Sequence, residues 1–180
     1  MTVLLVLTFI IEGLFIKGCK AETLGKRDYG VFLNVDDSSL ERLEMYETIV
    51  IDAQYFTKKD IEQLHENGTT VYTYLNIGSI ENFREYYTVY EELAIGSYEH
   101  WDEDAASPDW QRFIMQLARE LYEKDVDGFF IDNCDVYYYA PRKDIFDGLT
   151  VILQYIMTLG KEVIINGGDT YVTEYKERYG

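Results

Sequence analysis

Several apolar runs in this chain end in a carboxylate or an amide. Asp52 closes TIVIDA, Asn76 lies near the end of TVYTYLNIG, Asp132 and Asn133 close DGFFIDN, and Asn166 closes KEVIIN. Glu81, Arg84, Asp135 and Asp169 follow just beyond those ends. The densest stretch is VDGFFIDNCDVYYY, Val126 to Tyr139, where an apolar run meets two acids, an amide and three consecutive tyrosines. Carboxyl groups set beside amides and aromatic rings make a reaction centre in which side-chain acids move protons. Other chemistries are poorly served. The histidines are His65, read as a surface residue on its helix, and His100, read as structural or ligand-touching beside Trp101. With so few, neither a zinc site nor a Ser-His-Asp triad is a natural reading. Two cysteines give no disulfide framework or metal pattern. Without a GxGxxG fingerprint or a phosphate loop, the expectation is no cofactor.

The elements that must carry these residues alternate. Tyr29–Val35, Thr48–Ala53, Thr70–Gly78, the run through Phe129–Ile131 and Lys161–Gly167 read as strands. Helices are expected over Lys58–Asn67, from Ser107-Pro108-Asp109 to about Lys124, and over Asp144–Leu159. The second opens on a capping serine, a proline at the first position and an early acid. Gly68 and Gly160 stop the first and third. Phe83–Tyr90 suits a helix or an irregular loop, and Ile95–Ala106 shows no convincing strand. A strand apolar at every position is buried on both faces, which calls for a parallel sheet covered by helices. Repeated βα units with right-handed crossovers follow. In such sheets functional residues collect at the carboxyl ends of the strands, in barrels and doubly wound folds alike.

A length of 180 residues suits one domain with a real core. The formal net charge of −17 argues against a nucleic-acid partner and favours a cationic or neutral one, though solubility alone would account for it. Seventeen tyrosines offer flat apolar faces with polar tips, suited to sugar stacking as well as to a core. Residues 1–24 resemble a secretory leader with a cleavage site near Ala21, and Gly18-Cys19 resembles a lipid-attachment pair. The expectation is an extracellular or cell-envelope protein, meeting membrane only through that segment; an ordinary apolar helix is the alternative. Residues 25–180 form the domain.

TYLNIGSIENFR, Trp101 with the acidic segment after it, SPDWQRFI and VDGFFIDNCDVYYY together resemble the endo-α-1,4-polygalactosaminidase family of glycoside hydrolases. IVIDAQYFTKKDIEQLHENG and VIING extend the resemblance from about Tyr29 to the end. It implies a (β/α)8 TIM-type barrel, with about six βα units present here, that cleaves an α-1,4-linked galactosamine polymer. Such a polymer is a cationic polysaccharide. The segment after Trp101 lacks the apolar run of a fourth strand. Many family members carry a glutamate two residues before the fifth-strand aspartate, where this chain has Phe130. A non-catalytic, carbohydrate-binding barrel is therefore the second expectation.

Glycoside cleavage uses one protonated and one ionised carboxyl group. Asp132, at the end of a wholly apolar strand, suits the acid, because removal from water favours the neutral form. Asp52 is the expected partner. Glu81 and Arg84 are expected to bind or orient substrate, with a structural ion pair as the alternative. Asn76, Asn133, Asp135 and Asn166 are read as polar contacts to sugar, and Tyr74, Trp101 and Tyr137 as stacking walls. Helix capping is the alternative for both aspartates.

Overall fold

The computed structural model describes residues 25–90, 97–98, 101–102 and 105–180. The leader at residues 1–24 and His100 lie outside the described residues. In chain order come β1 (Arg27–Phe32), α1 (Leu40–Leu43), β2 (Tyr46–Ile51), α2 (Lys58–Glu66), β3 (Thr70–Asn76) and β4 (Ile80–Glu81). Then follow α3 (Tyr87–Tyr90), β5 (Ser97–Tyr98), β6 (Trp101–Asp102), α4 (Pro108–Glu123) and β7 (Gly128–Asp132). α5 (Val136–Tyr139), α6 (Lys143–Thr158), β8 (Glu162–Ile165) and α7 (Asp169–Tyr179) complete the order. Among the described residues no helix is long and apolar enough to cross a membrane.

The main sheet runs β1-β2-β3-β7-β8 with every neighbouring pair parallel, the alternating architecture of a (β/α) barrel. It is open among the described residues, with β1 and β8 at its edges. The stretch expected as a fifth barrel strand is the direct neighbour of the third: Tyr72 to Asn76 registers against Gly128 to Asp132. The intervening segment makes no parallel strand among the described residues. Its two-residue piece β6 pairs antiparallel with β4 on one side and with β5 on the other, because no apolar run there is long enough for a buried strand. Among the described residues five parallel strands stand where about six βα units were expected.

Helix boundaries follow local chemistry. Thr57 and Asp60 form a reciprocal cap at the start of α2, which turns Ile61 and Leu64 into the core. The Ser107 hydroxyl accepts from the Asp109 and Trp110 amides at the start of α4. α7 lay outside the strand-and-helix expectations. Its only sequence signals are an acid in the first turn and Lys176 and Arg178 in the last.

Side chains alternate across each strand, so the sheet has two unlike faces. Ile49, Ile51, Val71, Leu75, Phe129 and Ile131 face the helices and join the main core. Burial of each such side chain contributes roughly 1.5–3 kcal/mol. The opposite face holds a smaller cluster of Val50, Tyr72, Tyr74 and Phe130. Two residues further along the same strands, that face turns polar at Asp52, Asn76 and Asp132. Asn166 follows Ile164 in the same way on β8.

Candidate active site

The polar tips are brought together by two loops that touch through their backbones. The ladder continues past β3, where the Ile77 amide donates to the Asp132 carbonyl at 3.2 Å. A Cβ on Gly78 would stand 1.9 Å from the Asn133 carbonyl oxygen, so only glycine allows this approach. Asn133 sits at φ 63°, a left-handed conformation that asparagine tolerates better than most residues. The Trp110 indole donates to the Ile77 carbonyl at 3.0 Å and ties the same loop to α4.

Ser79 is the hub of this junction. Its hydroxyl accepts from Asn76 Nδ2 at 2.8 Å and from Asn133 Nδ2 at 3.1 Å. Asn76 Oδ1 in turn accepts from the Gly78 and Ser79 amides. Both asparagines are buried, and their amide nitrogens are committed to the loop. The expectation that they contact sugar is corrected: they build the floor of the site. Ser79 was not singled out from sequence, since its partner Asn133 is distant in the chain and only the fold joins them.

Beside this floor runs a line of charge. Arg84 NH1 reaches Asp52 Oδ2 at 2.5 Å, and Arg84 Nε reaches Glu81 Oε2 at 2.6 Å. Asp52 is 1% exposed and Arg84 6%, so this is a buried bridge between two carboxylates. Burial pulls the guanidinium down, but Asp52 and then Glu81 outweigh it and hold Arg84 firmly charged. Both Asp52 oxygens are engaged, Oδ1 with the Gln54 amide and side chain and Oδ2 with Arg84. Burial and two committed oxygens speak against the catalytic place expected of Asp52.

The Tyr74 phenol donates to Glu81 Oε1 at 3.2 Å and lies close enough to Asp132 to feel its charge. Burial first, then the charges of Glu81 and Asp132, push this phenol far above the usual tyrosine value. Buried, with its hydroxyl turned to Glu81, it is not the stacking wall expected of it. Asn166 Nδ2 completes the line by donating to Asp132 Oδ1 at 2.9 Å. Glu81 and Asp132 are half-buried, the carboxylates of this line that keep contact with solvent.

Two further expectations find places. Tyr137 is turned inward: its hydroxyl donates to Glu174 Oε2 at 2.6 Å and its ring packs on Phe146 and Tyr171. It is a core residue, because the short α5 aims it at α6 and α7, and Tyr138 and Tyr139 are the exposed rings of the run. Asp135 is half-buried at the start of α5 and makes no side-chain cap there. The stacking role expected for the Trp101 side chain lies outside the described residues. Among the described residues no group of three or more His, Cys, Asp or Glu could hold a metal ion.

The model of Glycoside-hydrolase family GH114 matches residues 26–176. No curated protein matches the sequence. Among solved structures, a variant of the glycoside hydrolase domain of PelA from Pseudomonas aeruginosa is similar at a TM-score of 0.66 and 19% identity. That match covers 83% of this chain and 62% of the other. Ega3 from Aspergillus fumigatus, in complex with galactosamine, is similar at a TM-score of 0.65 and 16% identity, over 85% of this chain and 63% of that one. An alpha-galactosidase from Thermus thermophilus is similar at 0.57 and 8%, over 78% and 38%. The chain spans less than two thirds of the length of each of these structures, and at such identities the likeness is one of fold.

Proposed function

Because the chain belongs to glycoside hydrolase family GH114, we propose that it cleaves an α-1,4-linked galactosamine polymer between two carboxyl groups, Asp132 and Glu81. The observation that carries this reading is a pair of half-buried carboxylates at one edge of the sheet, Asp132 closing β7 and Glu81 in the loop beyond β3, with the Tyr74 phenol donating to Glu81.

Asp132 donates its proton to the leaving oxygen. Glu81, paired with Arg84, attacks the anomeric carbon or supports its positive charge. Asp52 acts on Glu81 through Arg84, fixing the guanidinium that fixes the acid. Asn166 orients Asp132, and Asp135 meets sugar hydroxyls at the rim. A net charge of −17 draws a cationic polymer toward the protein, an attraction that salt weakens. The protein acts outside the cell or at its envelope, the segment 1–24 serving for export.

The test is release of reducing ends from deacetylated α-1,4-polygalactosamine. Asp132→Asn should lower kcat by about 10²–10⁴-fold, the usual range for an acid or base catalyst, with the melting temperature little changed. Activity untouched by that substitution would sink the assignment. A second reading, a carbohydrate-binding protein without turnover, is favoured by Phe130, which packs with Val50, Tyr72 and Tyr74 where many family members carry a glutamate. Polymer binding by the parent chain with no release of ends would select it.

A further inference from the structure

A cleft of about 510 Å³ opens at the carboxyl ends of β1 and β2, lined by Leu33, Asn34, Val35, Asp36, Tyr55 and Phe83. It lies outside the acid line. Its aromatic rings stand in water, Phe83 being 66% exposed and Tyr55 48%. The Arg84 guanidinium touches both, 4.9 Å from the Phe83 ring centre and 5.9 Å from that of Tyr55. Arg84 thus separates the cleft from Glu81, one side chain serving both. Asp36 supplies the negative group. Its carboxylate accepts from the Ser38 hydroxyl and amide, which hold it below the ordinary aspartate value and therefore ionised.

An exposed flat ring beside an ionised carboxylate suits few occupants. Ring faces take the C–H face of a pyranose or an ammonium group, and a carboxylate takes an ammonium or a hydroxyl. The cleft volume lies within the range of small-molecule sites. Continuity with the acid line places the cleft along one edge of the sheet with the reaction centre.

The geometry points to a second sugar subsite: the Leu33–Asp36 and Tyr55–Phe83 cleft holds a non-reacting galactosamine unit of the same polymer, stacked on Phe83 and Tyr55 with its ammonium facing Asp36. This rests on the proposed polymer substrate. The subsite contributes binding, so long chains that reach it are held more tightly than short ones.

The experiment is calorimetric titration of the full chain with deacetylated α-1,4-galactosamine oligomers of increasing length, alongside their N-acetylated counterparts. Phe83→Ala should weaken binding of the long oligomers about tenfold, as expected for loss of one ring contact. Phe83→Leu, which keeps apolar bulk over Arg84 and removes the flat ring, should weaken it in the same direction. Tyr179→Ala removes an exposed ring from the end of α7 and should leave affinity within twofold. Asp36→Asn should reduce the preference for deacetylated over acetylated chains. Affinities of both Phe83 variants within twofold of the parent would overturn the subsite, as would a parent that binds no oligomer. A parent that binds but releases no ends, with binding lost in the Phe83 variants, would overturn the reaction and support the subsite.

Discussion

Replacing Arg84 by methionine would remove the cation from a buried bridge and leave Asp52 and Glu81 facing each other. Taking one partner from a buried ion pair costs about 3–5 kcal/mol, because an uncompensated charge stays in a dry site. That is a large share of the roughly 5–15 kcal/mol that holds a domain together. At about 2–4 °C per kcal/mol for a chain of this size, the melting temperature should fall by about 6–20 °C. Urea unfolding of parent and variant at pH 7 measures this. The triple variant Asp52→Asn, Glu81→Gln, Arg84→Met removes every charge of the bridge and should recover most of the stability. A deficit under about 1 kcal/mol at pH 7 would refute the buried bridge.

Two other outcomes follow from individual contacts. Gly78→Ala should destabilise by about 1–3 kcal/mol or prevent folding, since the new methyl meets the Asn133 backbone carbonyl and not a movable side chain; a melting curve matching the parent would show that the two loops can separate freely. Tyr72 donates to Glu162, and this hydrogen bond first and burial second push its hydroxyl up to about 12. The neutral phenol is favoured in the folded state, so its contribution is complete below the ordinary value near 10 and is lost as pH rises through about 12. Tyr72→Phe should flatten the alkaline decline in stability over that window, and an unchanged profile would remove Tyr72 as its source.

The sequence was most legible where a local rule and a tertiary need agree. Asp52, Asn76, Asp132 and Asn166 each lie two residues beyond an inward apolar residue, and a period of two survives into any parallel sheet. Partners were less legible than positions. That Arg84 would choose Asp52 as well as Glu81 depends on the loop after β3 bending back over β2, which no local pattern encodes. Tyr137 illustrates the same limit: three consecutive tyrosines look alike until a single turn of helix sends one to the core and two to solvent. The adjacency of β3 and β7 was missed because family spacing supplied a strand between them, whereas the residues after Ile95 lack the apolar run to make one.

The same adjacency bears on how the molecule folds. β3 and β7 are joined through residues 77–127, a longer connection than those between β1 and β2, β2 and β3, or β7 and β8. The closure entropy of a loop grows only slowly with length, by about 0.6 kcal/mol per doubling, but distant pairings are slow to find. The chain therefore falls into two blocks with mostly local contacts, β1 to β3 and β7 to α7, that meet at one seam. Asp52 and Tyr74 belong to the first block, Glu81 and Arg84 to the connection just beyond it, and Asp132, Asn133 and Asn166 to the second. Every contact between the two groups of acids crosses the seam, so the site forms when the blocks dock and is lost when they part. Native-state hydrogen exchange on the Ile77 amide, which bridges the seam, would follow that event, and opening far easier there than within either block would mark the site as the last part assembled.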